Sequence, residues 1–534
     1  MHLSRLGQAL ALSITALLLS ACGDNDNGDI EISDVTPPLL ITDHHFEDGY
    51  SSVAAVFIAG QVKDTGGIQS LTYQLNDEPE KSLTLDQEGF FSESILLALG
   101  TNQLTLTATD RSDNTTQSTK TIYVGDKVAA GGSHTGAIKD GQLYGWGRNN
   151  YGQTGLNMTT KLTDVSVHPA TPALMSRAPN NLASISFNQN HSLAIDQKGQ
   201  VYSWGEDKYG QLGRGDTGRH DCVRSDDCRL DIGAIADINN AVMTAAGYKH
   251  NLVLTKDGSV WAFGANGQGQ LGNGLTTESS TPVQVDFSTL DAGHIVQVVA
   301  SANSSYALDD KGQVWGWGSD AYANLGKGQE CTSNHNCLNV HTKPIRIPVI
   351  QADDVAEGHT EVVIQLAAGR DHVLALTNNN SVYGWGLNAS SQVGYNGENF
   401  SDTEQAWDRI VTTPTKLPWF VDKEVRRIYA NGNASYALLN NGKVYPWGMF
   451  GETNSAGKTI YNDLDEPTDK LTSLTAVDNM AMGAMHLIAH EKPDTQNPDG
   501  NLFTWGWSFE GSLGSADAAH IWMYNTPIPI SLPN

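Results

Sequence analysis

Five histidines return at one position of an internal repeat: His134, His191, His250, His372 and His486. Imidazole titrates near neutral pH and binds transition metals, so such a set invites acid–base catalysis or metal ligation. Repetition argues for another task. A residue that recurs at the same place in successive copies makes the same hydrogen bond in each, and Ser304 and Ala434 occupy that place in two other copies. The histidines are therefore read as structural.

The cysteines divide into a lone Cys22 and two local pairs, Cys222/Cys228 and Cys331/Cys337, each in an insertion after a Gly-x-Leu-Gly element. Outside the cytoplasm such pairs are expected to oxidise and to rigidify their loops. His220 and His335 lie beside them, but neither set has the spacing of a tetrahedral zinc site, and no metal is expected. The chain has no Gly-x-Ser-x-Gly, no full phosphate-cradling Gly-x-x-x-x-Gly-Lys-Ser/Thr loop and no His-Glu-x-x-His. Paired carboxylates such as Asp226-Asp227 and Asp353-Asp354 say little in so acidic a chain. Neither a cofactor nor a catalytic residue is expected.

The elements that carry the histidines are short. The clearest copy runs from His250 through Leu252 and Leu254 to the turn Asp257-Gly258, then back through Val260 and Phe263 to Gly269-Gln270-Leu271-Gly272. Alternating apolar residues around an Asp-Gly turn predict a β-hairpin. Trp-Gly marks the copies at Trp146, Trp204, Trp317, Trp385, Trp447 and Trp505, with Phe263 in the third, which makes seven repeats spaced by 54 to 68 residues. These tryptophans are read as packing between repeats, with glycine admitting close backbone approach. A unit of this size cannot bury its own faces, and closing the array into a ring protects its edge strands. An all-β propeller with one blade per repeat follows.

The pattern Ala-Gly-x-x-His…Asp-Gly-x-Val…Trp-Gly-x-Asn…Gly-Gln-Leu-Gly, with Thr281-Pro282-Val283 after it, resembles the repeat of the regulator of chromosome condensation (RCC1) family. The resemblance covers residues 126–534 and implies a seven-bladed propeller of four-stranded blades. Because the region opens at Val128 with no Thr-Pro segment ahead of it, the terminal stretch Thr526-Pro527-Ile528 is expected to supply the missing strand of the first blade.

Residues 1–21 read as a signal segment, with Arg5 ahead of the apolar run from Ala9 to Leu19. Leu19-Ser20-Ala21-Cys22 resembles the lipobox of bacterial lipoproteins, which implies cleavage before Cys22, acylation of that residue and, with Gly23 next, the outer membrane. Residues 22–36 form an acidic tether. Residues 37–125 change to short alternating runs that predict a β-sandwich, and Leu104-Thr105-Leu106-Thr107-Ala108-Thr109-Asp110 resembles bacterial immunoglobulin-like modules. Asp64, Asp110 and Asp113 either gather at one end, as calcium ligands would, or cap turns.

The net charge of −27 repels phosphate backbones, so nucleic acid is not an expected partner. Function is expected in what varies between repeats, the insertions 156–181, 214–240, 327–360, 395–425 and 452–476. In 395–425 the aromatics Tyr395, Phe400, Trp407, Trp419 and Phe420 compose a candidate protein- or glycan-binding surface, unless they merely fold over the rim. The reading is a monomeric, non-catalytic binding module, lipid-anchored in the cell envelope. Two alternatives remain open: an inhibitor of an extracellular enzyme, since a propeller resembling this family inhibits β-lactamases, and an enzyme acting on polysaccharide. Guanine nucleotide exchange, for which the family is known, is not expected of an exported chain.

Overall fold

A computed structural model describes residues 34–43, 45–156, 168–215, 228–328, 340–350, 361–395, 409–453, 459–495, 500–508, 510–515 and 523–533. Cys22, Cys222, Cys331, Cys337, Phe400 and Trp407 lie outside the described residues.

Two sheets come first in the chain. One orders Leu39–Thr42, Ala55–Lys63 and Phe90–Leu96; the other orders Gly49–Ser51, Thr115–Val124, Gly100–Asp110, Ile68–Leu75 and Lys81–Ser82. The period-two pattern of Leu104, Leu106 and Ala108 turns those side chains inward, where they meet Ile58, Phe91 and Ile95 of the facing sheet in one core.

The remaining described residues hold seven four-stranded antiparallel sheets. Each is contiguous in sequence, as in Ala241–Ala246, His250–Thr255, Val260–Gly264 and Ser279–Gln284 from innermost to outermost. The seven innermost strands are Val128–Ala130, Leu182–Asn188, Ala241–Ala246, Ile295–Ala300, Val363–Ala368, Val425–Asn431 and Val477–Met482. Each touches the next, and the last touches the first, so the sheets close a ring and compose a β-propeller.

Closure does not use the chain terminus as expected. Met523–Ile530, which contains Thr526-Pro527, pairs with Leu502–Trp507 in the last sheet. The first sheet has an outer strand of its own, Ala173–Leu174, directly after Thr171-Pro172. Proline is tolerated on an edge strand, so in each of these two sheets the Thr-Pro segment serves as the outermost strand of its own repeat.

Strand direction sorts the loops onto two faces. Inner strands end at the Gly-x-x-His turn, where His250 pairs with Gly264, so that turn and the segment after Trp-Gly share one face. The hairpin turns and the starts of the inner strands share the other. The insertions before the outer strands therefore leave from the Gly-x-x-His face.

Candidate functional site

The histidines, tryptophans and Gly-x-Leu-Gly loops meet at the junctions between sheets. His250 Nε2 lies 3.0 Å from Ser305 Oγ of the next sheet, and that hydroxyl donates to the Gln270 carbonyl at 2.8 Å. A hydroxyl has one proton to give, so it accepts from His250, which fixes the Nε2–H tautomer. Trp317 Nε1 donates to the same carbonyl at 2.9 Å. One loop oxygen thus ties two strands of the following sheet.

The device repeats. His134 meets Ser192 (3.0 Å), His191 meets Asn251 (2.9 Å), His372 meets Ser435 (2.8 Å) and His486 meets Thr135 (2.7 Å). In the two sheets without histidine, the partner position in the next sheet is apolar: Val373 follows Ser304, and Leu487 follows Ala434. Donor and acceptor are kept or lost together, as the cost of a buried unpaired polar group requires. This pairing was present in the sequence as the residue after the histidine position of the following repeat, and single-repeat reading passed over it.

The glycine after each tryptophan, or after Phe263 in the third repeat, admits this closeness. Gly264 has φ +107°, and a Cβ there would stand 2.4 Å from the Lys249 carbonyl oxygen. The preceding Trp146, Trp204, Trp317, Trp385, Trp447 and Trp505 are buried.

All five histidines are held neutral. Burial lowers His191 and His486 to about 4, lowers His250 and His372 to about 3, and pushes His134 well down. Nδ1 of His134, His191, His250 and His372 is buried without a partner, so a proton there would be an unpaired buried charge.

The expected aromatic surface is distributed otherwise. Phe420 is buried, with its ring 5.8 Å from that of Trp447, and Trp419 Nε1 donates to the Gly394 carbonyl at 2.7 Å. Tyr395 is half-buried against the same core. These three residues pack the joint between the fifth and sixth sheets rather than presenting a free surface. Cys228 is fully buried at the head of an outer strand.

Asp64 and Asp110 do gather, with Asp34 in place of Asp113, their oxygens within 4.8 Å of one another. Asp64 Oδ1 accepts from the amides of Gly66 and Gly67, and Asp110 Oδ1 from those of Ser112 and Asn114. The carboxylates thereby cap turns.

One face of the ring is taken. The Ala54 amide donates to the Val296 carbonyl at 2.8 Å, Tyr123 Oη to that of Ala183 at 2.8 Å, and Arg426 Nη2 to that of Asp48 at 2.8 Å. Ala183, Val296 and Arg426 stand at the starts of inner strands, so the sandwich sits on that face. Gln365 Nε2, 3.1 Å from Ser52 Oγ, brings it over the axial cavity of about 220 Å³. Asp126 lines this cavity, its carboxyl pushed up to about 6 by burial against the opposing pull of Arg427.

The opposite face carries Tyr248, Lys249, Arg370 and Met485 at its turns. Lys249 Nζ lies 4.5 Å from the centre of the Tyr209 ring.

The model of the RCC1-like domain matches residues 223–533, and that of the regulator of chromosome condensation repeat matches 183–211 and 140–195. The ultraviolet-B receptor UVR8 of Arabidopsis thaliana is 26% identical over 398 residues, 73% of this chain and 79% of that protein. Protein RCC2 of Homo sapiens is 29% identical over 283 residues, 51% of this chain and only 50% of its own length. Among solved structures, yeast RCC1 (Prp20) bound to Kap60 superposes with a TM-score of 0.54 at 22% identity, over 70% of this chain and 81% of that one. Prp20p of Saccharomyces cerevisiae, described with its binding to Gsp1p and histones, gives 0.53 at 20%, over 82% and 94%. At such identities the structural likeness is one of fold.

Proposed function

The chain belongs to the RCC1-like domain family, and from that premise we propose that it is a protein-binding module whose seven-bladed propeller docks a partner on the face turned away from the sandwich. The observation that carries this is the occupancy of the other face: the contacts of Ala54, Tyr123 and Arg426 cover the starts of the inner strands. The face from which the insertions leave is not covered by the sandwich. That yeast RCC1 was crystallised bound to Kap60 supports a protein as the partner class.

The rest of the reading is part of the same proposal. Cys22 carries the lipid, residues 22–36 are the tether, and the sandwich is an immunoglobulin-like spacer in the cell envelope. The pairs Cys222/Cys228 and Cys331/Cys337 form disulfides, and the module acts without catalysis.

The test is affinity capture from envelope extract on the full chain, beside a Tyr248→Ala/Arg370→Ala variant. A protein retained by the first and lost from the second is the expected result. Equal retention by both, or capture of glycan alone, would overturn the proposal. Loss of a captured enzyme's activity on binding would identify the module as an inhibitor.

A further inference from the structure

The inner strands leave a chamber of about 220 Å³ along the axis of the ring. Each sheet contributes to its wall the residue five places before the histidine position, which is alanine in four sheets, Ser186 and Val299 in two, and Tyr429 in the sixth. Small side chains at six of these seven places keep the space clear.

One end is closed and rigid. Gln365 Oε1 accepts from the Ile428 amide at 3.0 Å, while its Nε2 lies 3.1 Å from both the Ile428 carbonyl and Ser52 Oγ of the sandwich. Gln297 makes the same two backbone contacts to Leu366, at 2.7 and 3.0 Å. Asn188, Tyr248, Ser301 and Asn431 bound the other end. They stand at Gly-x-x-His turns, so the chamber is entered from the face that the sandwich does not cover.

Among the described residues, Asp126 is the single charged side chain of the lining. Part of its surface stays accessible, yet its carboxylate receives no hydrogen bond from any described residue. Arg427 pulls on it from outside the chamber but is engaged elsewhere: its Nη1 donates to the Asp478 carbonyl at 3.3 Å, and it bonds the Tyr429 hydroxyl. A carboxylate withdrawn from bulk water and given no donor is under-compensated, which is why burial outweighs Arg427 there.

We infer that the chamber binds a small primary amine, its ammonium donating to the Asp126 carboxylate and its aliphatic body lying along Ala245, Val299 and Ala367 across the ring. An ammonium brings three donors and no acceptor, and hydrogen bonds between opposite charges are the strong ones. An anion would meet like charge at Asp126, and a neutral alcohol would form only the weaker bond. The net charge of −27 draws cations toward the mouth. The volume exceeds that of a cavity that admits benzene, about 150 Å³, so an amine of roughly five to eight heavy atoms has room.

The test is saturation-transfer NMR on the full chain at about pH 7.5, where alkylamines are protonated and Asp126 is ionised. The probes are n-butylamine and its neutral counterpart n-butanol. The amine should saturate with a dissociation constant on the order of 1 mM, and the alcohol should bind at least about tenfold more weakly. Asp126→Asn keeps the shape and should cost the amine about tenfold or more while leaving the alcohol as it was. Ala245→Leu fills the far wall with the carboxylate intact and should abolish both. Equal affinities for the two probes, amine binding unchanged in either variant, or no saturation below about 50 mM would overturn the inference. Nα-acetyl-lysine methylamide separates the two sources of such a group: bound as tightly as butylamine, it assigns the end of a lysine side chain, and excluded while butylamine binds, it assigns a free amine.

Discussion

Thr135 Oγ1 lies 2.7 Å from His486 Nε2, although 351 positions separate them in the chain. The same hydroxyl donates to the Ser512 carbonyl at 2.8 Å, so the first repeat is fastened to the last by side chains and not by a shared strand. Further polar contacts flank this clasp: the Ala484 amide donates to the Gly131 carbonyl at 3.1 Å, and Arg148 pairs with Glu510 at 3.1 Å.

Thr135→Val keeps the shape and removes both bonds, leaving the His486 N–H buried without an acceptor. A loss of about 1–3 kcal/mol is expected for such a group. The urea midpoint read by tryptophan fluorescence measures it, and an unchanged midpoint would show that the clasp carries no load in closure.

The pair is expected to be non-additive. His372→Leu with Ser435→Ala should cost less than the sum of the single changes, because the double variant leaves no imidazole N–H without its acceptor, as Val373 and Leu487 already illustrate. Additive losses in the double-mutant cycle would contradict the covarying-pair account.

Acid should open the ring. The unfolded histidines titrate near 6.5 and the folded ones near 3 to 4, so between these values the unfolded chain binds more protons. Stability therefore rises with pH through that window and is lost as pH falls from about 6.5 toward 4, by about 1.4 kcal/mol per pH unit for each histidine. His250→Gln should lessen the slope of unfolding free energy against pH by that one-proton amount. An unaltered slope would mean that His250 is already charged in the fold.

If Cys22 carries a lipid, the wild-type chain sediments with membranes and Cys22→Ser releases it to the soluble fraction. Membrane retention of the Cys22→Ser chain would refute the anchor.

Gly264→Ala combines a positive φ with a Cβ 2.4 Å from a carbonyl oxygen that is fixed backbone, and should lower stability by about 2 kcal/mol or more. Thermal unfolding checks it, and a melting temperature within a degree of wild type would show that the turn can relax.

The repeat, its hairpins and the all-β class were legible in the amino acids, because period-two alternation, Asp-Gly turns and Trp-Gly spacing are local properties. The structural character assigned to the repeated histidines came from the same regularity. Phe420 and Trp419 illustrate the limit: an aromatic in an insertion reads alike whether it faces water or the Trp447 ring 5.8 Å from Phe420. The use of Thr526-Pro527 in the last sheet and the covering of one face by Ala54 and Arg426 depend on contacts between residues far apart in the chain. Local pattern determines which strand a segment becomes. Only tertiary packing decides which strand it lies beside and which face of the ring the sandwich covers.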